Sequence, residues 1–169
     1  MKSIKELLSE IANIAMDLSI LNFKSMSCCQ QLGFNGFKRW HRCYSKEFHN
    51  FVICLENKAF DYYAVDLDLS GGKLDYSPKS ITYHFQSYKE YAEKHLEKLG
   101  MLNKQFIEVT GFHAPKTEEM KKILLKQIEK CSRMIYRYKS IGSEATGLHD
   151  LHTYDDRLHD KMKKYEESK

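Results

Sequence analysis

The most constraining feature of this chain is a break. Between Tyr62 and Ser77 the helical period of the flanking sequence stops, and Asp66-Leu67-Asp68-Leu69 alternates instead, followed by Ser70-Gly71-Gly72. Alternation at period two belongs to extended, half-buried backbone. Two long amphipathic stretches precede this segment and two follow it. Short turns join helices that lie antiparallel, whereas a link of about fifteen residues can run the length of a bundle and return the chain to the end it left. The pattern predicts an all-α chain of four long helices with one long crossover in the middle.

The helices are legible one by one. Ser3 and Glu6 form a capping box, and Ile4, Leu7, Leu8, Ile11, Ala15, Leu18 and Leu21 recur at three- and four-residue steps on one face, predicting a helix to about Gln31. Gly33 and Gly36 punctuate a turn. Phe37, Trp40, Tyr44, Phe48, Phe51, Leu55 and Ala59 then share the apolar face of a second helix, ending near Tyr62. Ser77-Pro78 predicts the third helix start, with Ser as cap and Pro in the first helical position. Ile81, Phe85, Tyr88, Ala92, Leu96 and Leu99 carry it onward past Gly100, to the break at Gly111 and Pro115. Thr117, followed by Glu118 and Glu119, caps a fourth helix with acid in its positive first turn. Met120, Leu124, Ile128, Cys131, Ile135 and Tyr138 are its buried stripe, and Gly142 is its expected stop. Leu148, Leu151, Tyr154 and Leu158 predict a short fifth, C-terminal helix over about 147–165. Residues 1–169 thus read as a single domain, with the bundle over about 3–142.

Composition narrows the function classes. Hydrophobic residues make up 42% and charged residues 30% of 169 positions, a balance suited to one soluble domain with a sizeable core. No apolar run approaches the roughly 20 residues needed to span a membrane, and the charged, amphipathic start does not read as a signal peptide. Five cysteines (Cys28, Cys29, Cys43, Cys54 and Cys131) form an odd, scattered set, as expected of a reduced, cytoplasmic protein. The net charge of +4 is dispersed, thickening only at Lys161, Lys163, Lys164 and Lys169. A solvated surface accounts for it better than attraction to nucleic acid does.

Several chemistries fail on spacing. Asp66-x-Asp68-x-Ser70-Gly71 imitates half a calcium loop, but the twelfth position is Ser77 rather than Glu. His41-x-Cys43 with Cys28-Cys29 matches no closed zinc motif, and cysteine reads more simply as a small buried hydrophobe. There is no Gly-rich phosphate loop and no serine elbow.

Three stretches resemble ferritins. Leu32-Gly33-Phe34-Asn35-Gly36-Phe37-Lys38-Arg39-Trp40 is similar to the entrance of the second helix in bacterial ferritins, and Tyr76-Ser77-Pro78 to the start of their third. Ile141-Gly142-Ser143-Glu144-Ala145-Thr146-Gly147-Leu148 is similar to the glycine-bounded link to their fifth helix, with Tyr154-Asp155 matching an aromatic–Asp pair inside it. The resemblance implies a ferritin-like four-helix bundle, iron as the bound metal, and self-assembly into a homo-oligomeric cage of about 24 subunits.

The family's activity rests on a di-iron centre within the bundle, including a Glu-x-x-His pair on the second helix. This chain has no Glu followed three residues later by His. Carried over from the resembling stretches, the carboxylate position of the first helix falls on Ala15 and the nearby tyrosine on Asn22. The Glu-x-x-His pair falls on Phe48 and Phe51, the third-helix glutamate on Lys89, and the fourth-helix amide on Leu124. A register slip brings in Asp17, Glu47, Glu90 or Gln127 but spoils the apolar stripe. The expectation is an iron-storage subunit whose usual ferroxidase centre is absent or relocated, so that any Fe(II) oxidation is slow. Glu47 is the expected inner-surface nucleation carboxylate, Glu118 and Glu119 the expected lining of an iron channel, and His149 and His152 the expected pore contacts on the fifth helix. The alternative is a metal-free assembly of the same fold, with nucleic-acid contact of the Dps type as a lesser variant.

Overall fold

A computed structural model describes residues 1–71, 74–140 and 144–168. Gly72, Lys73, Ile141, Gly142, Ser143 and Lys169 lie outside them, and with them the expected Gly142 stop. Five helices follow in order: α1 (Ile4–Gln31), α2 (Asn35–Tyr63), α3 (Ile81–Thr110), α4 (Thr117–Ser140) and α5 (Glu144–Glu167).

Side-chain pairings fix the directions. Ser19 and Ser45 each donate to the other's backbone carbonyl at 2.9 Å, and Asn22 meets His41, so α1 and α2 are antiparallel. His41 meets His84 near the start of α2 and α3, and Tyr63 meets Phe106 near their ends, so these two run parallel. Only the long crossover permits that. Along it Val65, Leu67, Leu69 and Leu74 pack on the core while Asp66, Asp68 and Ser70 are exposed, as the alternation predicts. Two polar side chains of α1 pin it. Ser9 Oγ accepts from the Asp68 N–H at 2.9 Å, and Asn13 bonds the Asp68 carbonyl at 3.1 Å and the Ser70 N–H at 3.0 Å. The half calcium loop is thus a strap held against a helix.

The helix ends show which caps operate. Ser3 Oγ accepts from the Glu6 N–H at 3.1 Å and donates to the Glu6 carboxylate at 3.2 Å. α3, however, is capped by Ser80, whose Oγ accepts from the Tyr83 N–H, and not by Ser77. Pro78 remains in the extended approach, its carbonyl receiving the Cys28 thiol. At the α3–α4 corner Asn103 Oδ1 accepts from the Ala114 N–H at 2.8 Å.

α5 spans 24 residues, as many as α4, because Met162 continues the buried stripe of Leu151 and Leu158. It runs parallel to α2, with Phe34 against His152 and Arg42 against Glu166, and antiparallel to α4, with Lys130 against Tyr154 and Arg137 against Asp150. The α2 N-cap, Phe34, offers no side-chain bond to the helix's free amides. Asp155 of α5 supplies it instead, its carboxylate accepting from the Gly36 N–H at 3.1 Å and the Phe37 N–H at 2.8 Å. An anion at the positive end of a helix dipole is well placed. A Cβ on Gly36 would lie 2.0 Å from the Asp155 carbonyl oxygen, so only glycine admits this approach. The Gly-rich stretch and the aromatic–Asp pair are therefore the two halves of one docking contact.

Candidate functional site

The interior level at which a di-iron centre is expected is lined by buried apolar side chains. Ala15, Phe48 and Leu124 are 0% exposed and Phe51 is 8% exposed. The two rings meet edge to face at 6.0 Å. Lys89 lies at the bundle rim, paired loosely with Glu93 at 3.9 Å. Of the residues a register slip would supply, Asp17 is half-exposed beside His95 and Glu90 is exposed. Hard oxygen donors do not converge here. Each buried ring contributes roughly 1.5–3 kcal/mol to stability, so this level serves packing.

The five predicted metal residues do not come together. Glu47 is half-buried on α2, in a groove shared with α4 and α5 whose charged lining is Lys126, Lys130, Arg133 and Lys161 against Glu47 and Glu129. Glu118 and Glu119 are exposed on the first turn of α4. His149 and His152 occupy the first half of α5, beside the far end of α4. His149 is exposed, while the His152 ring stacks on Phe34 at 4.1 Å and 11°.

The polar feature of the interior lies elsewhere, about two helical turns along α1 from Ala15. Asn22, His41, His84, Tyr88 and Gln127 are all 0% exposed, and Tyr76 is 8% exposed. They come from four helices and the crossover and form one connected network. Asn22 Nδ2 donates to the Leu18 carbonyl at 2.8 Å, which turns its Oδ1 inward. That oxygen receives the Gln127 amide at 3.1 Å and lies 3.1 Å from the Tyr88 hydroxyl, which also reaches Gln127 Oε1 at 2.7 Å.

An amide oxygen only accepts, so His41 Nδ1, 2.9 Å away, carries a proton and donates to it. In a neutral His41, Nε2 is then a lone pair. His84 Nε2 stands 2.9 Å from it and donates, leaving His84 Nδ1 to accept from the Tyr76 hydroxyl at 2.7 Å. Protons therefore all point one way, from Tyr76 through both histidines to Asn22. Burial, reinforced by His84, pushes His41 well below the usual imidazole range, and burial takes His84 down to about 3. Both rings are neutral, as this chain of bonds requires.

A thiol adjoins the network. One ligand atom each from Cys29, His41 and His84 lies within 4.8 Å of the other two, and all three residues are buried. Burial, then the neighbouring Cys28, Asp155 and Cys131, raises the Cys29 thiol well above its ordinary value. Cys29 is buried in the apolar core, as the reading of cysteine as a small hydrophobe expects. Cys43 is not one of the three residues of this cluster. His84 was not singled out in the sequence. The available signal was its place on the apolar stripe one residue before Phe85, where a histidine must find buried partners.

No family model matches the chain, and no curated protein matches it. Solved structures do. An open-pore ferritin from the hyperthermophilic archaeon Archaeoglobus fulgidus superposes with a TM-score of 0.78 at 14% identity, covering 94% of this chain and 96% of that one. A closed form of the Archaeoglobus fulgidus ferritin made by site-directed mutagenesis gives 0.76 at 16% identity, covering 94% and 97%. A humanized archaeal ferritin gives 0.77 at 16% identity, covering 94% and 96%. The chain has the ferritin fold.

Proposed function

We propose that this chain is the subunit of an iron-storing cage whose bundle interior does not perform the oxidation step. One observation carries the reading: a ferritin fold over 94% of the chain, with apolar side chains or a lysine at the positions where the family resemblance puts iron ligands. Fe(II) requires hard oxygen or imidazole donors with an open position. Ala15, Phe48, Phe51 and Leu124 offer none, so iron is left to surface carboxylates and oxidises slowly in solution-like surroundings.

Glu118 and Glu119, exposed and adjacent, are the proposed channel contacts. Glu47 is the weaker member of the set, because four cations share its groove and repel Fe(II). His149 remains a proposed pore contact, while His152 is partly committed to Phe34. Self-assembly is supported by large apolar side chains left in solvent by the single chain, among them Phe23, Phe60, Tyr83, Phe112 and Tyr136. No helix among the described residues is long and apolar enough to cross a membrane. A reduced cytoplasmic setting suits the five free thiols.

Purification from iron-supplemented cells tests the reading. A particle of about half a megadalton, set by about 24 copies of a 20.0 kDa chain, with a ferric core supports storage. Stopped-flow mixing with Fe(II) is expected to show no rapid phase. A colourless particle of the same size, staying iron-free after Fe(II) loading in air, overturns storage in favour of a metal-free assembly. A rapid two-iron phase overturns the absence of a bundle centre.

A further inference from the structure

We propose that Cys29, His41 and His84 form a mononuclear binding site for a borderline-soft divalent metal of the zinc class, which ties α1, α2 and α3 together inside the bundle. This does not depend on iron storage. One thiolate and two imidazoles are the donor set such an ion prefers, and hard oxygen ligands are absent from the set.

The geometry is close to what coordination demands. In a tetrahedral site with metal–nitrogen bonds of about 2.0–2.1 Å, two imidazole nitrogens stand about 3.3 Å apart. His41 Nε2 and His84 Nε2 are 2.9 Å apart, so an opening of about half an ångström admits the ion. Their rings are inclined at 79°, which lets both lone pairs aim at a common point. Cys29 comes from the facing helix, within the same 4.8 Å.

The surrounding hydrogen bonds suit the loaded state at least as well as the empty one. Metal-bound imidazoles donate their other N–H to fixed acceptors. His41 Nδ1–H already donates to Asn22 Oδ1, which Gln127 and Leu18 hold in place. Loading requires His84 to change tautomer, freeing Nε2 for the metal and placing its proton on Nδ1. The Tyr76 oxygen, 2.7 Å away, then accepts it, and the Tyr76 hydroxyl turns to the His84 carbonyl at 3.1 Å. In the empty state the single Tyr76 proton has two acceptors to serve. In the loaded state every bond is made.

A second observation lies on the same face of α1. Ser25, between Asn22 and Cys29, is 0% exposed, and among the described residues its Oγ makes no hydrogen bond of good geometry, Tyr76 being a polar neighbour. A metal-bound water in the fourth coordination position is the kind of partner it lacks. Proton balance is simple. Cys29 releases one proton to solvent on coordination, His84 exchanges one nitrogen's proton for the other's, and the site gains one net positive charge.

Anaerobic titration of chelator-stripped protein with Co(II) tests the proposal. The expected result is one equivalent bound per chain, with the near-ultraviolet thiolate-to-cobalt band and the strong visible bands of a four-coordinate ion. Cys29→Ser and His84→Gln should each abolish the thiolate band or cut affinity at least tenfold, while Cys28→Ser, one residue away, should leave both unchanged. Anomalous diffraction at the zinc edge from wild-type crystals grown with zinc is independent of whether the variants fold. Density between the His41 and His84 rings beside Cys29 is expected. Cobalt bound without a thiolate band, a band that survives Cys29→Ser, or zinc density found only at surface histidines would each overturn the site.

Discussion

Replacing Gly36 with alanine offers a sign reversal that separates the docking of α5 from ordinary helix preference. Alanine in place of glycine inside a helix normally stabilises by roughly 0.5–1 kcal/mol. Here the new Cβ would fall 2.0 Å from the Asp155 carbonyl oxygen and 2.8 Å from the His159 nitrogen, both backbone atoms that can yield only if α5 moves. Moving α5 withdraws the Asp155 carboxylate from the Gly36 and Phe37 amides. Two hydrogen bonds to a charged acceptor are worth about 3–6 kcal/mol. Burial raises the Asp155 pKa, so part of that is spent on desolvating the carboxylate. A net loss of about 2–4 kcal/mol remains, or about 4–16 °C in melting temperature for a chain of this length. Asp155→Ala should cost a similar amount. Asp155→Ala keeps the backbone atoms that a Gly36 Cβ would meet but loosens the approach of α5, so adding Gly36→Ala should then cost less than it does alone. Urea unfolding of the two single variants, the double variant and the parent, compared in the same assembly state, measures this cycle. If the single costs simply add in the double variant, Gly36 and Asp155 do not act through one contact.

Three further outcomes are expected. Phe48→Ala should cost about 3–5 kcal/mol in chemical denaturation while leaving the Fe(II) oxidation rate unchanged; a changed rate would show that this level handles iron after all. Asn22→Leu strands the Gln127 amide and the His41 N–H and deprives Tyr88 of an acceptor, so a loss of at least about 3 kcal/mol is expected; a loss below about 1 kcal/mol would show that the network is not held through Asn22. In metal-free protein the histidine pair should make the fold acid-sensitive. Both folded-state pKa values are lowered, His84 to about 3, so the unfolded chain takes up protons first as pH falls below the ordinary imidazole value of about 6.5. The stabilisation is complete above that value and is lost downward toward pH 3, at up to about 1.4 kcal/mol per pH unit for each histidine. A His41→Gln/His84→Gln variant with the same slope between pH 6 and 5 as the parent would refute this.

Much of the fold was legible because it follows from local period. Three- and four-residue spacing marked the buried faces of all five helices, and two-residue alternation marked the crossover that makes α2 and α3 parallel. The same period showed Phe48 and Phe51 to be core residues, and both are buried. Local signals also misplaced some boundaries. Ser77-Pro78 has the chemistry of a helix start, yet Ser80 holds the cap, and the Pro78 carbonyl instead receives the Cys28 thiol.

What period cannot convey is height. It says which side of a helix faces inward, and nothing about which residues of different helices stand at the same level. That is set by the register of antiparallel α1 and α2 and by the crossover that aligns α3 with α2. Those registers bring Cys29, His41 and His84 within 4.8 Å of one another, although they are separated by 12 and 43 positions in the chain. The same holds for Asp155, 119 positions from the Gly36 amide it caps. The sequence by itself determined that the bundle would form and which faces of its helices would be buried. Only tertiary packing decided where the buried polar side chains would meet, because that depends on distances between helices, which no local pattern encodes.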